Sequence, residues 1–431
     1  MASIKKNTPK NIFVLGLDDF NLKELEMVSE ADRYNYQTLL TFDDIFGPDA
    51  PGIEKLLEQA REILDNYDKS IDAIIGYWDF PVTSMVPWLC ELYNLPAPSF
   101  ESVIKCEHKY WSRVEQSRAV DEYPGFDGVD PFDANAIEKL TLKYPFWLKP
   151  IKATASQLGF LIRSREDFMN AQEIIQKKIT GFSGPFNFLL SELSLPDDMK
   201  HIDGSYCIAE EIIKGSQCTA SGYVHNKKVT VYGIVDSVNY PDSSSFFRYE
   251  YPSTLPKKVR RHIAEDSKKV IGQIGLDNST FNIEYFYDET FDRIWILEIN
   301  PRMSQSHSYL YRKVDGETNF KIMIDLALGK IPQFPQEKGQ FNCAAKFFLR
   351  RFYDGKVKKV PAESEIEEIV RAFPGSRIHI NVSEGNRLSE LARQDSYSFD
   401  LAHLFLGAAD HYELMDKYHR CREMLDFQFE E

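Results

Sequence analysis

Polar residues occupy every second position at the end of an otherwise apolar stretch near residue 300. In "RIWILEINP", Glu298 and Asn300 interrupt a run of Ile, Leu and Trp. Upstream, "FNIEYFY" carries Glu284 within an aromatic-rich stretch. Both stretches are typical of β-strands, in which successive side chains point to opposite faces of a sheet. The segment "STFNIEYFYDETFDRIWILEINP" therefore predicts a long β-hairpin.

The register of this hairpin decides which side chains meet. If the loop is centred near Phe291, Glu284 lies opposite Glu298, and cross-strand Cβ atoms are about 5 Å apart. Simple alternation then puts Ile296, Glu298 and Asn300 on one face. Two carboxylates this close repel each other unless a cation lies between them. With the Asn300 amide they form a hard-oxygen ligand set typical of Mg²⁺. The alternative is a pair of solvated surface glutamates.

Arg302 follows this strand directly after Pro301. A guanidinium at this point can hold a carboxylate or a transferring phosphate through two parallel hydrogen bonds. The alternative is an ordinary surface arginine.

Composition narrows the classes of partner. The chain has 51 basic and 66 acidic residues and a net charge of −15, which disfavours binding to phosphate backbones, so we expect no nucleic-acid partner. No apolar run approaches the ~18 residues of a membrane helix, and we expect no membrane association. The six cysteines form no C-x-x-C pair. We therefore expect neither zinc nor a disulfide framework, and a cytoplasmic location.

The chain of 431 residues divides into three predicted regions. Residues 1–98 alternate between strand and helix patterns, which predicts an α/β domain with a parallel sheet. Residues 99–330 begin with a helix over Ser102–Arg118 and continue as a mixed α+β region with antiparallel strands. The prolines of "KIPQFPQ" mark the start of a third region, residues 331–431.

Four motifs, in this order along the chain, resemble those of the ATP-grasp superfamily, which includes biotin carboxylases, carbamoyl-phosphate synthetases, D-alanine–D-alanine ligases and L-amino acid (dipeptide) ligases. "KCEHKYWSRV" and "YPFWLKP" resemble the segments that deliver two phosphate-binding lysines, "IAEEIIKG" resembles the hinge that binds adenine, and the hairpin resembles the metal-binding end. The resemblance spans nearly the whole chain. It implies a Rossmann-like (preATP-grasp) N-terminal domain, an ATP-grasp domain with a lid at about 145–213, a central antiparallel sheet and a C-terminal subdomain.

The resemblance also implies ATP and Mg²⁺ (or Mn²⁺) as cofactors, with small-molecule carboxylate and amine substrates. The implied metal ligands are Glu284, Glu298 and Asn300. The implied nucleotide-binding residues are Lys109, Lys149, Ser156, Glu210, Glu211, Ile213 and Gln217. The candidate catalytic residues are Arg302, Ser306 and His307, and the candidate substrate contacts are Arg248 and Ser304. Many members of the family pair as dimers, so a homodimer stays open.

Departures from the family pattern favour one branch of it. The phosphate loop after Lys149, "IKATASQLGF", has a single glycine, and Gln217 stands where the family often has Glu. Ser306 occupies the place of the Glu that acts as base in biotin carboxylases, and a hydroxyl has too high a pKa for that role. We therefore expect a ligase that joins an amino acid's carboxylate to an amine through an acyl phosphate, releasing ADP and phosphate.

Three alternatives stay open: biotin-carboxylase-like carboxylation, a non-catalytic nucleotide-binding module, and other ATP-grasp chemistry such as purine-pathway ligation.

Two details of the site that would bind the amine are also open. His307 either orients or deprotonates the amine or is a structural histidine. The aromatic segment from Val238 to Pro256 is expected to be a loop that covers the acceptor pocket, with Arg248 binding a substrate carboxylate; the alternative is an ordinary surface loop.

Overall fold

The N-terminal region is a parallel α/β layer. The computed structural model describes residues 8–152, 158–391, 394 and 398–430. The first strands pair in parallel in the order β2-β1-β3; they are β1 (Lys10–Leu17), β2 (Tyr34–Thr41) and β3 (Ala73–Ile75). The helices of this layer are α1 (Asp19–Leu25), α2 (Phe42–Phe46), α3 (Ile53–Asp65) and α4 (Val82–Leu92). Phe13 and Leu15 of β1 enter one core and Ile12 and Val14 another, because both faces of the sheet are covered. The predicted parallel arrangement is confirmed.

Two helices, α5 (Phe100–Glu107) and α6 (Lys109–Ser117), replace the single helix predicted for this segment. His108 lies between them in an extended conformation, and its Nδ1 accepts a hydrogen bond of 3.1 Å from the backbone N–H of Trp111. A side-chain acceptor at this position starts a new helix by satisfying one of its first free N–H groups. Lys109 consequently becomes the first residue of α6.

The second sheet, which we call the lid sheet, is antiparallel with the order β4-β7-β5-β6. Its strands are β4 (Phe126–Val129), β5 (Phe146–Pro150), β6 (Phe160–Ile162) and β7 (Cys207–Glu211). The helices α7 (Arg165–Lys178) and α8 (Thr180–Ser191) follow β6. Leu148 and Ile162 of the sheet pack against Phe168 and Ile175 of α7. The lid sheet also includes β4, which precedes the predicted lid at 145–213.

The third and largest sheet has the order β12-β11-β8-β9-β10-β13-β16-β15, with antiparallel pairing at every step. Its strands are β8 (Ser216–His225), β9 (Lys228–Asn239), β10 (Phe246–Tyr251), β11 (Ser279–Asp288), β12 (Arg293–Asn300), β13 (Cys343–Arg351), β15 (Arg377–Ile380) and β16 (Phe399–Ala408). The other elements of this part are α9 (Lys257–Ile274), α10 (Ser308–Val314), α11 (Asn319–Ala327), β14 (Lys356–Lys359), α12 (Glu363–Ala372), α13 (His411–Glu423) and β17 (Gln428–Glu430). Because β13, β15 and β16 continue the sheet, it crosses the predicted boundary at residue 330.

A β-bulge at Leu297 changes which residues of β12 point to each face of the sheet. Glu284 lies opposite Glu298, but the register then shifts by one residue. Ile296 therefore packs into the apolar core beneath the sheet. The expectation that Ile296 shares a face with Glu298 and Asn300 is wrong, since one extra residue in a strand reverses the alternation on its far side.

A buried guanidinium holds this bulge. Arg113 of α6 donates from Nη1 to the carbonyl oxygen of Ile296 at 2.9 Å and from Nη2 to that of Leu297 at 2.7 Å. Its Nε donates to Glu210 of β7 at 2.6 Å, and only 4% of the side chain is exposed. Because a bulge takes backbone groups out of the regular ladder, these hydrogen bonds satisfy carbonyls that the bulge exposes. Arg113 thereby connects α6, the lid sheet and the largest sheet.

The structure also bears on the cysteines and on membrane-spanning helices. All six cysteines are free, and five of them are buried. Within the described part of the chain, no helix combines the length and the apolar character needed to cross a membrane.

Replacing Arg113 by Gln should lower the free energy of unfolding by about 3–5 kcal/mol, because the buried Glu210 carboxylate loses a cation and the bulge carbonyls lose their donors. Chemical denaturation measures this change. The matched control is Arg371→Gln on the exposed surface of α12, which should change stability by less than about 0.5 kcal/mol. Equal effects of the two substitutions would contradict the role given to Arg113.

Candidate active site

The carboxylate pair lies at one edge of the largest sheet. Glu284 on β11 is directly opposite Glu298 on β12, so the predicted cross-strand pair is confirmed. Burial, and then the negative charge of Glu298, raise the pKa of Glu284 to about 7. Gln217 of β8 donates from Nε2 to Oε2 of Glu284 at 3.0 Å. The resemblance implied that Gln217 binds the nucleotide; in the structure its amide donates to a carboxylate of the pair.

An amide pair lies beside the carboxylates. Asn300 is opposite Asn282, and its Nδ2 donates to Oδ1 of Asn282 at 3.2 Å. The Oδ1 of Asn300 accepts from Arg302 at 3.5 Å. Sequence reasoning missed Asn282, although the signal was present: it precedes Glu284 by two residues and so shares its face.

The donor set fits a divalent cation. Glu284, Glu298 and Asn300 offer hard oxygens on one face of a hairpin, which is the ligand type that Mg²⁺ and Mn²⁺ take. Burial first and the charge of Glu298 second raise the pKa of Glu284, and Arg302 offsets this only in part, so a bound cation would favour its ionised form. These three residues are the ones that would hold a metal ion at this edge of the sheet.

Three lysines bring positive charge to the same region. Lys149 of β5 donates to Glu210 at 2.9 Å. Burial lowers the pKa of Lys109, the charge of Glu298 opposes that effect, and the charges of Lys152 and Lys149 add to it. Cations close enough to act on one another are balanced best by an anion with several charges. A triphosphate is such an anion.

Lys152 is fixed by a long-range ion pair. Its ammonium pairs with Glu107 of α5, and both side chains are more than 90% buried. Thr83 donates from Oγ1 to the same carboxylate at 2.6 Å, and the ammonium lies 4.9 Å from the centre of the Phe80 ring. The predicted phosphate contact Ser156 lies outside the described residues.

The predicted hinge joins the lid sheet to the largest sheet. It runs from the end of β7 through Ile213 and Gly215 to β8. Gly215 has a φ of +132°, and a Cβ there would lie 2.1 Å from a backbone oxygen of β11, so only glycine fits. The Glu210 carboxylate is buried between cations, and that of Glu211 accepts from the backbone N–H of Gly125 at 2.8 Å. Both hinge carboxylates thus have protein partners.

Arg302 reaches from the end of β12 to the N-terminal layer. Its Nη2 lies 3.3 Å from Oδ2 of Asp79. Burial alone would raise the pKa of Asp79, but the charges of Arg302 and Lys152 hold it well below its usual range. Sequence reasoning missed Asp79, which follows β3 at the carboxyl end of a parallel sheet, where such sheets bind ligands.

His307 is buried between aromatic rings. Its ring centre lies 5.0 Å from that of Tyr249, in an edge-to-face arrangement. Burial, and then the positive charges of Lys346 and Arg302, lower its pKa to about 3. His307 is therefore neutral at neutral pH.

The two serines of this turn differ in their surroundings. The Oγ of Ser306 accepts a hydrogen bond of 3.3 Å from Lys346 of β13. For Ser304, the backbone oxygen accepts from Asn319 of α11 at 2.9 Å. Ser306 therefore marks the point where the turn after β12 meets the C-terminal strands, and Lys346 is a site residue that the sequence did not reveal.

The segment predicted to cover the acceptor pocket contains a strand, β10, at its centre. Within residues 238–256, β10 pairs with β9 on one side and β13 on the other, so the expectation of a loop is wrong. Its aromatic residues favour a strand and pack on both faces of the sheet. Arg248 lies opposite Phe347, on the side that faces α13, and pairs with Glu250 at 2.7 Å. Tyr249 faces the other way, and we do not retain Arg248 as a substrate contact.

Comparison with known proteins identifies the class of domain in the middle of the chain and the fold of the whole. Residues 142–308 match the model of the ATP-grasp domain. The chain therefore contains an ATP-grasp domain, as the motifs predicted, and its overall fold is the ATP-grasp fold.

Solved structures extend this similarity over nearly the whole chain. An L-amino acid ligase from Bacillus licheniformis superposes with a TM-score of 0.72 at 15% identity, covering 98% of this chain and 100% of that one. A biotin carboxylase from Campylobacter jejuni gives 0.68 at 16% identity, over 97% and 92%. A phosphoribosylglycinamide synthetase from Anaerococcus prevotii gives 0.64 at 16% identity, over 98% and 100%. At these identities the similarity concerns the fold.

A curated relative matches over a shorter stretch. The large chain of carbamoyl phosphate synthase from Clavibacter sepedonicus is 32% identical over 85 residues, which is 20% of this chain. The match spans only 8% of the length of that relative.

Replacing Glu298 by Gln should weaken Mn²⁺ binding in the presence of ADP by about tenfold or more, because one of two anionic ligands is lost. Isothermal titration calorimetry measures the dissociation constant. Glu289→Gln, at the exposed tip of the same hairpin, is the matched control and should bind as the wild type does. Unchanged binding in Glu298→Gln would exclude this carboxylate from the metal site.

The Glu210 network should give stability a defined pH dependence. Burial raises the pKa of Glu210, but Arg113 and Lys149 lower it from 4.5 to about 2. A carboxyl whose pKa falls on folding contributes stability above its unfolded pKa and loses it as the pH drops towards the folded value. The wild type should therefore exceed Glu210→Gln in unfolding free energy by about 3 kcal/mol at neutral pH. Denaturation at several pH values should show this difference shrinking below about pH 4.5; a constant difference would contradict it.

Proposed function

We propose that the protein is an ATP-dependent ligase that joins a carboxylate substrate to an amine and releases ADP and phosphate. The observation that carries this proposal is the pairing of Glu284 with Glu298 beside Asn300, close enough to the lysines for the charges of Glu298, Lys149 and Lys152 to act on Lys109. Acidic ligands for a metal and cations for phosphate, brought to one place, suit phosphoryl transfer.

Each part of the nucleotide has residues that suit it. Lys109, Lys149 and Lys152 supply positive charge for the phosphates, and the backbone around Ile213 is the proposed contact for adenine. Glu284, Glu298 and Asn300 would hold Mg²⁺ or Mn²⁺, which when bound offsets phosphate charge during transfer. The altered loop after Lys152 does not remove these groups.

Arg302 is the proposed anchor for the carboxylate that reacts. The carboxylate oxygen attacks the γ-phosphorus, the bond to ADP breaks, and an acyl phosphate forms. The amine nitrogen then attacks the acyl carbon, the bond to phosphate breaks, and the nitrogen loses a proton. The guanidinium, which lies 3.3 Å from Asp79, would stabilise the negative oxygen that develops.

The position of Ser306 favours a ligase over a carboxylase. Biotin carboxylases, in the resemblance drawn from sequence, use a Glu base at this position. The Ser306 hydroxyl instead accepts from Lys346, and its pKa is too high for a resting base. The solved structures with this fold include both an L-amino acid ligase and a biotin carboxylase, so the choice between the two reactions rests on Ser306.

ATP turnover should yield ADP and phosphate when the protein is given pairs of amino acids, because the proposed chemistry transfers the γ-phosphoryl group. Product analysis by chromatography, together with phosphate release across a panel of amino acid pairs, measures this. Glu298→Gln should abolish the release and Glu289→Gln should leave it intact.

Three outcomes would contradict the proposal. AMP and pyrophosphate as products would indicate adenylation. Stimulation by bicarbonate with biotin, and by no amino acid pair, would indicate a carboxylase. Nucleotide binding without turnover in any mixture would indicate a non-catalytic module.

A further inference from the structure

A cavity lies at the junction of the N-terminal layer, the turn after β12 and the C-terminal strands. Its volume is about 280 Å³, close to the lower end of the ~300–1,000 Å³ usual for small-molecule pockets. Aromatic rings supply much of its wall: Phe20, Phe42, Trp78, Tyr309 and Phe405. A cavity of this size and lining suits a ligand with one large apolar or aromatic group.

Among the described residues, one buried ammonium of this cavity forms no ion pair with a carboxylate, although the charge of Asp400 acts on it. Lys346 is only 7% exposed, yet its nearest polar contact among the described residues is the neutral Ser306 hydroxyl at 3.3 Å. Its ammonium also lies 4.8 Å and 5.6 Å from the ring centres of Phe348 and Phe405. A buried charge without a counter-ion is costly, and a bound anion would remove that cost.

The other charged groups of the cavity wall are already engaged. Arg377 pairs with Glu24, and its guanidinium stacks at 4.0 Å over the ring of Phe20. Asp18 accepts from the backbone and side-chain amides of Asn21 at the start of α1. Of the lysine and the arginine in this wall, Lys346 is therefore the one that forms no ion pair among the described residues.

The cavity is separate from the region proposed for the phosphates. Lys346 on β13 is four strand positions from β11, and its charge and that of Arg302 both act on His307. The charges that act on Lys346 are those of Asp400 and Arg350, whereas those that act on Lys109 belong to the phosphate region. An anion at Lys346 is therefore a different group from the carboxylate that Arg302 would hold.

We infer that this cavity binds the amine substrate of the ligase, and that this substrate is an amino acid with a free carboxylate and a large apolar or aromatic side chain. The inference rests on the proposed function. Lys346 pairs with the carboxylate, which does not react, and the rings enclose the side chain. The amino group then points past Ser306 towards Arg302, where its nitrogen attacks the acyl carbon, the carbon–phosphate oxygen bond breaks, and the departing phosphate takes up the proton that the nitrogen loses. The product consequently keeps a free carboxylate.

The test compares amino acids with their amides, which lack the negative charge but keep the side chain. Titration calorimetry with ADP and Mg²⁺ present would use L-phenylalanine, L-phenylalaninamide, L-leucine and L-leucinamide. The wild type should bind the acids about 10- to 100-fold more tightly than the amides, because a hydrogen bond to a buried charged group is lost. Lys346→Met should bind acid and amide alike, and Lys346→Arg should keep most of the preference.

The control is Lys358→Met, which removes the same charge from the exposed surface of β14 and should keep the wild-type preference. Three results would overturn the inference. The wild type binds acid and amide equally, the preference for the acid survives in Lys346→Met, or none of the four compounds binds. The proposed function can fail separately. If binding prefers the acids and depends on Lys346, but no carboxylate substrate gives phosphate release, the cavity binds amino acids and the ligase reaction is excluded.

Discussion

The buried Arg113 guanidinium is the interaction on which the candidate site depends. It is hydrogen-bonded to a lid carboxylate and to two carbonyls at the bulge of β12. The bulge in turn puts Glu298 on the same face as Glu284 while the apolar residues on either side of it stay in the core. Without a donor for those carbonyls, a regular ladder would be favoured. Simple alternation along β12 would then put Ile296 and Glu298 on the same face, so either Ile296 would leave the core or Glu298 would leave the face of Glu284.

Charge in this protein is distributed between two regions. In the first, carboxylates at the edge of the largest sheet face lysines from α6 and the lid sheet. In the second, Lys346 lies among aromatic rings near the C-terminal strands. His307 is buried between the regions and feels the positive charge of both Arg302 and Lys346, so it stays neutral. This arrangement allows two anionic groups of different identity to bind without competing for one cation.

The sequence predicted those features that depend on local spacing. The parallel N-terminal layer follows from alternating strand and helix patterns, and the Glu284–Glu298 pair follows from the length of the hairpin loop. The bulge escaped prediction because Leu297 is apolar in an apolar run, and an extra residue leaves no mark on that pattern. The break at His108 escaped as well, since a histidine cap resembles any other polar helix position. Asp79 and Lys346 reach the site only through contacts between distant segments, which spacing does not encode.

The attachment of the lid has a mechanical consequence. Because Arg113 links Glu210 to the bulge, and Gly215 leaves no space for a side chain beside β11, the end of β7 is tied to the largest sheet. A swing of the lid therefore pivots near Glu210. Displacement then grows with distance from that pivot, so the outermost strand β6 sweeps the widest arc while Lys149, hydrogen-bonded to Glu210, barely shifts.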